Sequence, residues 1–240
     1  RAIALEPRNG WAQHAVAHVL EMQDRRAEGV AWMRGNAPDW TPESFFAIHN
    51  WWHLALFHLG LDEIDAVLEL YDGPIYGERS TMAFDMVDAA ALLWRLKLRG
   101  VDVGDRWSNL ADNYAGQPIG HYAFDDVHAT LALVGAGRDA EAQAVIFAMT
   151  TAADGPGENA LITRDVGLPL AEAILKFGRS DFAGATETLR TVRNRAARFG
   201  GSHAQRDVID LTLIAAAGKS GNLSLERALI AERAQALPLA

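Results

Sequence analysis

The chain is 240 residues long, half of its residues are hydrophobic, and its formal net charge is -9 at pH 7. This length is sufficient for a full hydrophobic core. The acidic balance argues against a nucleic-acid or membrane partner, because the arginines of "RTVRNRAARFG" fit the exposed face of one helix. Cysteine is absent, which excludes disulfides, thiolate nucleophiles and cysteine-ligated zinc. The sequence has no apolar run of about 20 residues and no signal pattern, so we expect a cytoplasmic protein.

Apolar residues recur at intervals of three and four along the chain, and Gly, Pro, Asp or Asn interrupts them at fairly regular distances. Strand signals are scarce, since β-branched runs are short and no Asn-Gly hairpin with alternating flanks occurs. The pattern predicts six helix pairs, over residues 11–22, 24–35, 42–60, 62–72, 81–99, 104–115, 121–136, 138–153, 159–177, 181–199, 203–218 and 222–236.

Several predicted pairs share one layout, in which a turn with glycine is followed by a small residue. The turn glycines are Gly60, Gly137 and Gly178, and the small residues are Ala66, Ala142 and Ala183. A repeat of about 35 to 45 residues is typical of an α-solenoid. We therefore predict an all-α fold, a right-handed α-solenoid of about six tetratricopeptide-like antiparallel helix pairs. It would form a single superhelical domain over residues 1–240, and the opening "ALEP" suggests that further N-terminal repeats precede it in a longer chain.

Five segments between Trp11 and Leu213 carry a family resemblance when they are taken together and in order. They are "HAVAHVLEMQDRRAEGVAWM", "HNWWHLALFHLGLDEIDAVLELYD", "FDMVDAAALLWRLKLRG", "DDVHATLAL" and "GSHAQRDVIDLTL". In this combination the chain resembles the tetratricopeptide repeat protein 38 family. The resemblance implies a divergent tetratricopeptide-like superhelix, and it implies no particular reaction.

Histidines and acids recur at steps of three, four and seven, which keep side chains on one face of a helix. Each stripe falls on the first helix of its predicted pair. In tetratricopeptide-like superhelices these first helices line the inner wall, so by analogy we expect one concave groove. Its expected residues are His14, His18, Glu21, His49, His53, Asp85, Asp88, His121, Asp125, His128, His203, Arg206 and Asp207.

Two of the stripes, "HAVAH" and "HNWWH", place histidines at i and i+4, a spacing that allows one ion to be ligated from one helix turn. The candidate metal ligands are His14, His18, His49 and His53. A zinc protease is excluded, because Ala15 and Asn50 stand where that motif places its glutamate. We otherwise predict no cofactor, and a divalent metal stays open as an alternative.

Catalysis without a metal would need a base beside a nucleophile or a water molecule. No G-x-S-x-G elbow occurs. The catalytic candidates are His128 oriented by Asp125 and His203 oriented by Asp207. Arg206 is available for an anionic group of the substrate.

The tryptophans are expected to be core wedges between helices. Trp52 shares an apolar face with Phe45, whereas Trp51 points away from it. Since His49 and His53 border that face, we expect them to be half-buried.

The leading functional hypothesis is a binding module whose groove captures a peptide segment or a small polar ligand. The alternative is an enzyme that uses the same groove for acid-base or metal-assisted chemistry on a small molecule. A third reading is a scaffold with a hydrogen-bonded His/Asp ladder. The sequence leaves open the ligand, whether any reaction is catalysed, and the oligomeric state.

Overall fold

The structure, a computed structural model, describes residues 1–236, and within them the chain is all-α, with no strand. The helices are α1 (Ala2–Leu5), α2 (Gly10–Met22), α3 (Arg26–Trp40), α4 (Ala47–Gly60), α5 (Ile64–Leu70), α6 (Ala83–Leu98), α7 (Arg106–Tyr114), α8 (Ala123–Gly135), α9 (Asp139–Ala153), α10 (Glu158–Ile162), α11 (Leu168–Gly178), α12 (Phe182–Val192), α13 (His203–Lys219) and α14 (Leu223–Ala236). Two π-helical segments, Tyr71–Ile75 and Thr163–Gly167, and a 3₁₀ segment, Arg193–Phe199, continue α5, α10 and α12.

Each predicted helix has a counterpart in the structure, and the differences lie at helix ends and at one interruption. The helix expected from residue 42 begins only at Ala47, because Glu43 has a φ of 54°, outside the helical range. The helix expected to end at residue 35 continues to Trp40 and contains Pro38 in its last turn. The helix expected over 159–177 is interrupted by the π-helical segment at Thr163–Gly167.

The chain forms two compact units, and each is described by itself. Of the described residues, the first unit comprises 1–92 together with 233–236, and the second comprises 93–232. Helix α6 runs through the division, so that Asp88 belongs to the first unit and Trp94 to the second. A single domain, a continuous solenoid and its handedness stay predictions.

Helix α4 is the centre of the first unit and packs against α2, α3 and α5. Trp52 is fully buried, which confirms its predicted core position. The ring centroid of Trp51 lies 4.7 Å from that of Trp40, so Trp51 faces a neighbouring helix, α3. Gly29 allows α3 to approach α4 closely, because a Cβ atom at position 29 would lie 2.6 Å from the ring of Phe57.

Two expectations about burial in this unit are wrong. His49 and His53 are buried rather than half-buried, because a neighbouring helix covers their side of α4. Trp11 and Phe45 were expected in the core, yet they are 66% and 64% exposed. Helical periodicity predicts on which side of a helix a residue lies, but it does not predict which neighbouring element covers that side.

The second unit is built around α8 and α11, which pack against each other, with α9 and α12 on their flanks. Gly135 and Gly178 permit close helix contacts, since added Cβ atoms would lie 2.4 Å from Trp107 and Val134. Ala142 is fully buried as its predicted packing role requires, whereas Ala183 is exposed and Ala185 is instead among the buried residues of α12. Among the helices of residues 1–236, none has both the length and the apolar character needed to cross a bilayer.

Candidate functional site

Four histidines converge in the first unit. Helix α2 supplies His14 and His18, and helix α4 supplies His49 and His53, each pair one helical turn apart. One ring nitrogen from each of the four can be chosen so that all of them lie within 4.8 Å of one another. We call these four residues the histidine cluster.

The start of α2 is fixed against α4, which sets the distance between the two histidine pairs. The side chain of Asn9 caps α2 by accepting a hydrogen bond from the amide of Ala12 at 3.0 Å. The side-chain amide of Asn50 donates to the carbonyl of Gly10 at 3.3 Å. A side chain at position 10 could not be accommodated without movement, because its Cβ atom would lie 2.6 Å from the hydroxyl of Ser44.

The rings of the cluster meet edge to face. The ring centroids of His14 and His18 are 4.4 Å apart with an interplanar angle of 75°, and those of His18 and His53 are 4.5 Å apart at 78°. Burial, followed by the neighbouring His49 and His18, lowers the pKa of His14 to about 3. At pH 7 His14 is therefore neutral and carries a free lone pair, and its buried Nε2 atom has no hydrogen-bond partner.

Asp88 orients one member of the cluster. Nδ1 of His49 donates to Oδ2 of Asp88 at 2.7 Å, and both side chains are buried. This hydrogen bond leaves Nε2 of His49 as the nitrogen with a lone pair. A carboxylate behind a histidine is the arrangement that commonly supports metal-ligating histidines in proteins.

Asp85 and Glu21 do not belong to the set of converging ligand atoms. Asp85 accepts a hydrogen bond from the Ser80 hydroxyl at 2.6 Å. Burial raises its pKa, the Ser80 hydrogen bond opposes that shift, and the nearby Asp88 adds to it. Glu21 is half-buried on α2, one turn beyond His18. Asp85 therefore places a second carboxyl group near Asp88, but its side chain is not among the converging ligand atoms.

The cluster matches the requirements of a late first-row divalent ion. Nitrogen atoms around a tetrahedral zinc ion are about 3.3 Å apart, given Zn–N distances of about 2.0–2.1 Å. The ligand atoms lie within 4.8 Å of one another, so ligation would require the more distant pairs to move closer together. Neutral imidazoles suit zinc, copper, iron and nickel, whereas magnesium and calcium prefer oxygen ligands.

His58, the histidine that falls outside every predicted stripe, also lies outside the cluster. Its Nδ1 atom is 2.5 Å from the carboxylate of Glu63, and its Nε2 atom is 3.1 Å from the guanidinium of Arg34. These contacts hold the end of α4 against its neighbours, which is a structural role.

In the second unit, His128 is buried and its partner differs from the expected one. Its Nδ1 atom donates to the carbonyl of Phe124 at 2.7 Å, one turn earlier in α8, rather than to Asp125. Burial lowers the pKa of His128 to about 4; the Phe124 carbonyl opposes that shift and Arg95 reinforces it. The apolar cavity beside the ring has a volume of about 10 Å³, room for about one water molecule.

The other second-unit candidates lie at helix starts. His121 is exposed just before α8, and burial raises the pKa of the half-buried Asp125. His203 is the exposed first residue of α13, where Ser202 and Gln205 form a capping box. Arg206 donates to the backbone carbonyls of Gly200 and Gly201 and is half-buried, as is Asp207.

Two features of interest escaped the sequence analysis. Asp126 rather than Asp125 is the buried acid of α8, and its burial raises its pKa to about 6. Aromatic residues also border the histidine cluster. One stands three residues before the first histidine of each pair: Trp11 before His14 and Phe46, the residue that precedes α4, before His49. The repeated spacing Trp/Phe-x-x-His-x-x-x-His is the signal that could have identified them.

No family model matches the chain, and no solved structure matches it either. The resemblance to the tetratricopeptide repeat protein 38 family therefore stays a prediction that rests on the five sequence segments. The function has to be argued from the geometry of the histidine cluster.

Proposed function

We propose that the protein binds one divalent transition-metal ion at His14, His18, His49 and His53. The observation that carries the proposal is the convergence of four ligand nitrogens, from two helices, within 4.8 Å of one another. Two i, i+4 histidine pairs that face each other supply four ligands from only two helical turns. Among the alternatives from the sequence, this favours metal-assisted chemistry or metal-dependent binding over a groove that works without a metal.

The protonation of the cluster supports the proposal. Histidine must be neutral to ligate a metal, and burial together with neighbouring histidines keeps the pKa of His14 near 3. The Asp88 carboxylate holds His49 in the tautomer that offers Nε2. The ion would therefore displace no proton from His14 at neutral pH. His49 would already present Nε2 to the ion, with no change of tautomer.

The proposal also includes the scaffold. In the first unit α2 contacts α3 and α4, and α4 contacts α3 and α5; in the second unit α8 contacts α9 and α11, and α11 contacts α12 and α13. In each unit, the first helix of a pair contacts the second helix of the same pair and also the first helix of the following pair. This pattern supports a tetratricopeptide-like repeat. We propose that such helix pairs carry the site.

Calorimetric titration of untagged, chelator-treated protein with Zn²⁺ tests the function. We expect one ion per chain and a higher melting temperature, because an ion that binds only the folded state at 100 times its Kd adds about 2.7 kcal/mol. Mg²⁺ at the same concentration should leave the melting temperature unchanged.

Two variants of half-buried ligands, His14→Ala and His18→Ala, should lose most of the zinc binding. The matched control is His203→Ala, which removes an exposed histidine of the second unit. Circular dichroism establishes that the variants are folded. Wild-type zinc affinity in both His14→Ala and His18→Ala would refute the site.

A further inference from the structure

A group of aromatic side chains adjoins the histidine cluster; two of them are exposed, Trp11 and Phe45, whereas Phe84 is half-buried and Phe46 is buried. The ring of Phe46 lies 3.9 Å from that of Trp11 and 5.8 Å from that of Phe84, measured between centroids. The ring of Phe45 stacks on that of Phe84 at 5.3 Å with an interplanar angle of 26°. We call Trp11, Phe45, Phe46 and Phe84 the aromatic platform.

The platform and the histidine cluster are continuous. The ring centroid of Phe46 is 4.9 Å from that of His14 and 5.5 Å from that of His49. The ring of Phe84 is 5.4 Å from that of His49. A small molecule that reached the cluster over the platform would therefore touch aromatic rings and the proposed metal ligands together.

The α2 side of the cluster is less buried than the α4 side. His14 and His18 are half-buried, whereas His49 and His53 on α4 are buried. Trp11, one turn before His14 on α2, is 66% exposed, and Phe45 is 64% exposed. Exposed aromatic rings beside the less buried side of such a cluster are typical of a surface that contacts a ligand.

The charge of the site indicates what a ligand should carry. Four neutral imidazoles do not neutralise the two positive charges of a bound divalent ion, and Asp88 supplies one negative charge from behind His49. An ion that accepts five or six ligands would keep a position beyond the four histidines, and an anionic oxygen of an external ligand would fill it. The aromatic platform favours a planar apolar group on the same molecule.

We propose, on the basis of the proposed metal binding, that this site takes a small aromatic anion, such as an aromatic carboxylate or a phenolate. The anionic oxygen binds the metal ion, and the ring packs on Trp11. This names the ligand class of the site more narrowly than the small polar ligand expected from the sequence.

The test compares benzoate with acetate on the Co²⁺-loaded protein, because the visible absorption of cobalt responds to a new oxygen ligand. Both probes present a carboxylate, and only benzoate carries a ring. An aromatic contact is worth about 0.5–1.5 kcal/mol, so we expect benzoate to bind roughly three- to tenfold more tightly than acetate.

Trp11→Ala at saturating Co²⁺ should abolish the preference for benzoate while acetate still changes the spectrum. The matched control is Phe147→Ala, which removes a 73% exposed aromatic side chain of the second unit and should retain the preference. Equal affinities for the two probes in wild-type protein, or an unchanged preference in Trp11→Ala, would overturn the inference and leave metal binding intact.

Two further outcomes separate the inference from the proposed function. If Co²⁺ and Zn²⁺ do not bind, the proposed function fails and this inference fails with it. If benzoate binds metal-free protein equally well, measured by quenching of tryptophan fluorescence, the anion is not a metal ligand and only the inference fails. Self-association that Trp11→Ala abolishes would mean that a second copy covers the platform, which also contradicts it.

Discussion

Asp88 contacts the histidine cluster through one of its four histidines. Its side chain is fully buried, and it accepts the hydrogen bond of His49 at 2.7 Å. Without Asp88, the neutral ring of His49 could carry its proton on either nitrogen. The hydrogen bond to Asp88, 39 residues away along the chain, fixes the proton on Nδ1. Its contribution to metal binding should therefore be measurable separately from that of the ligands.

We expect Asp88→Ala to weaken zinc binding by about 10- to 100-fold, as is usual for loss of a carboxylate behind a ligating histidine. Asp88→Asn should have a smaller effect, because its amide oxygen still accepts the Nδ1 hydrogen of His49. Competition with a chromogenic zinc chelator measures both affinities. The role of Asp88 would be refuted by equal zinc affinities in wild type and Asp88→Ala, provided both are folded.

Two buried groups of α8 make opposite contributions to stability as a function of pH. The pKa of Asp126 is raised to about 6, by burial first and then by Asp125, against the hydrogen bond from Gly120. The folded state therefore holds this proton more tightly, so stability falls as pH rises from about 4 to 6. The pKa of His128 is lowered to about 4, so its effect is a loss of stability as pH falls from about 6.5 to 4.

Asp126→Asn should remove the first of these effects. A raised pKa of about 6 from 3.8 corresponds to at most about 3 kcal/mol, so the variant should gain up to that much relative to wild type between pH 4 and 7. The asparagine oxygen retains an acceptor for the amide of Gly120, 2.8 Å away. Urea unfolding at several pH values gives the difference, and the contribution of His128 cancels because both proteins share it. Parallel pH profiles would contradict a raised pKa at Asp126.

At the scale of elements, the approach of α3 to α4 depends on the absence of a side chain at Gly29. A Cβ atom there would lie 2.6 Å from the Phe57 ring, which is buried and has little room to move. The same helix contains Gly35, where a Cβ atom would meet nothing within 4 Å. One helix thus carries both a packing glycine and a glycine without a packing constraint.

Gly29→Ala should destabilise the protein by about 1–3 kcal/mol, the usual cost of overpacking. Gly35→Ala should stabilise it by about 0.5–1 kcal/mol, because alanine is the better helix former. Thermal and urea unfolding of the two variants give the comparison. A stabilising Gly29→Ala would show that α3 and α4 are less closely packed than described.

The elements were predictable to the extent that local spacing determines them. Helical periodicity identified the helices, and the i, i+4 pairs identified all four histidines of the cluster, because both signals extend over a few residues. The pairing of His49 with Asp88 and the exposure of Trp11 depend on what packs nearby in space, which spacing cannot reveal. Likewise, the sequence singled out Asp125, whereas the structure buries its neighbour Asp126.

At the scale of the whole molecule, the histidine cluster lies entirely within the first of the two compact units. A ligand that binds the folded state stabilises the elements that form its site. The second-unit stripes with His121, His128 and His203 are not part of the proposed metal site, and a shared groove stays a prediction. Metal binding should therefore act unequally on the two parts of the chain.

We expect zinc to slow amide hydrogen exchange in α2 and α4 and to leave exchange in α8 and α11 unchanged. Mass spectrometry of peptides from zinc-loaded and zinc-free protein measures this, with His18→Ala as the control in which zinc has no effect. Equal slowing in α2 and α11 would mean that the two units unfold together, contrary to local stabilisation.

The side chain of Asn50 limits how this site could be redesigned. It occupies the position at which a zinc protease carries its general base, and here it ties α4 to the first residue of α2. Replacing it with glutamate would remove the amide donor and bring a carboxylate against the carbonyl of Gly10, so the helices that hold the two histidine pairs would separate. Protease chemistry could therefore be installed here only by a change that also disturbs the ligand geometry on which the metal depends.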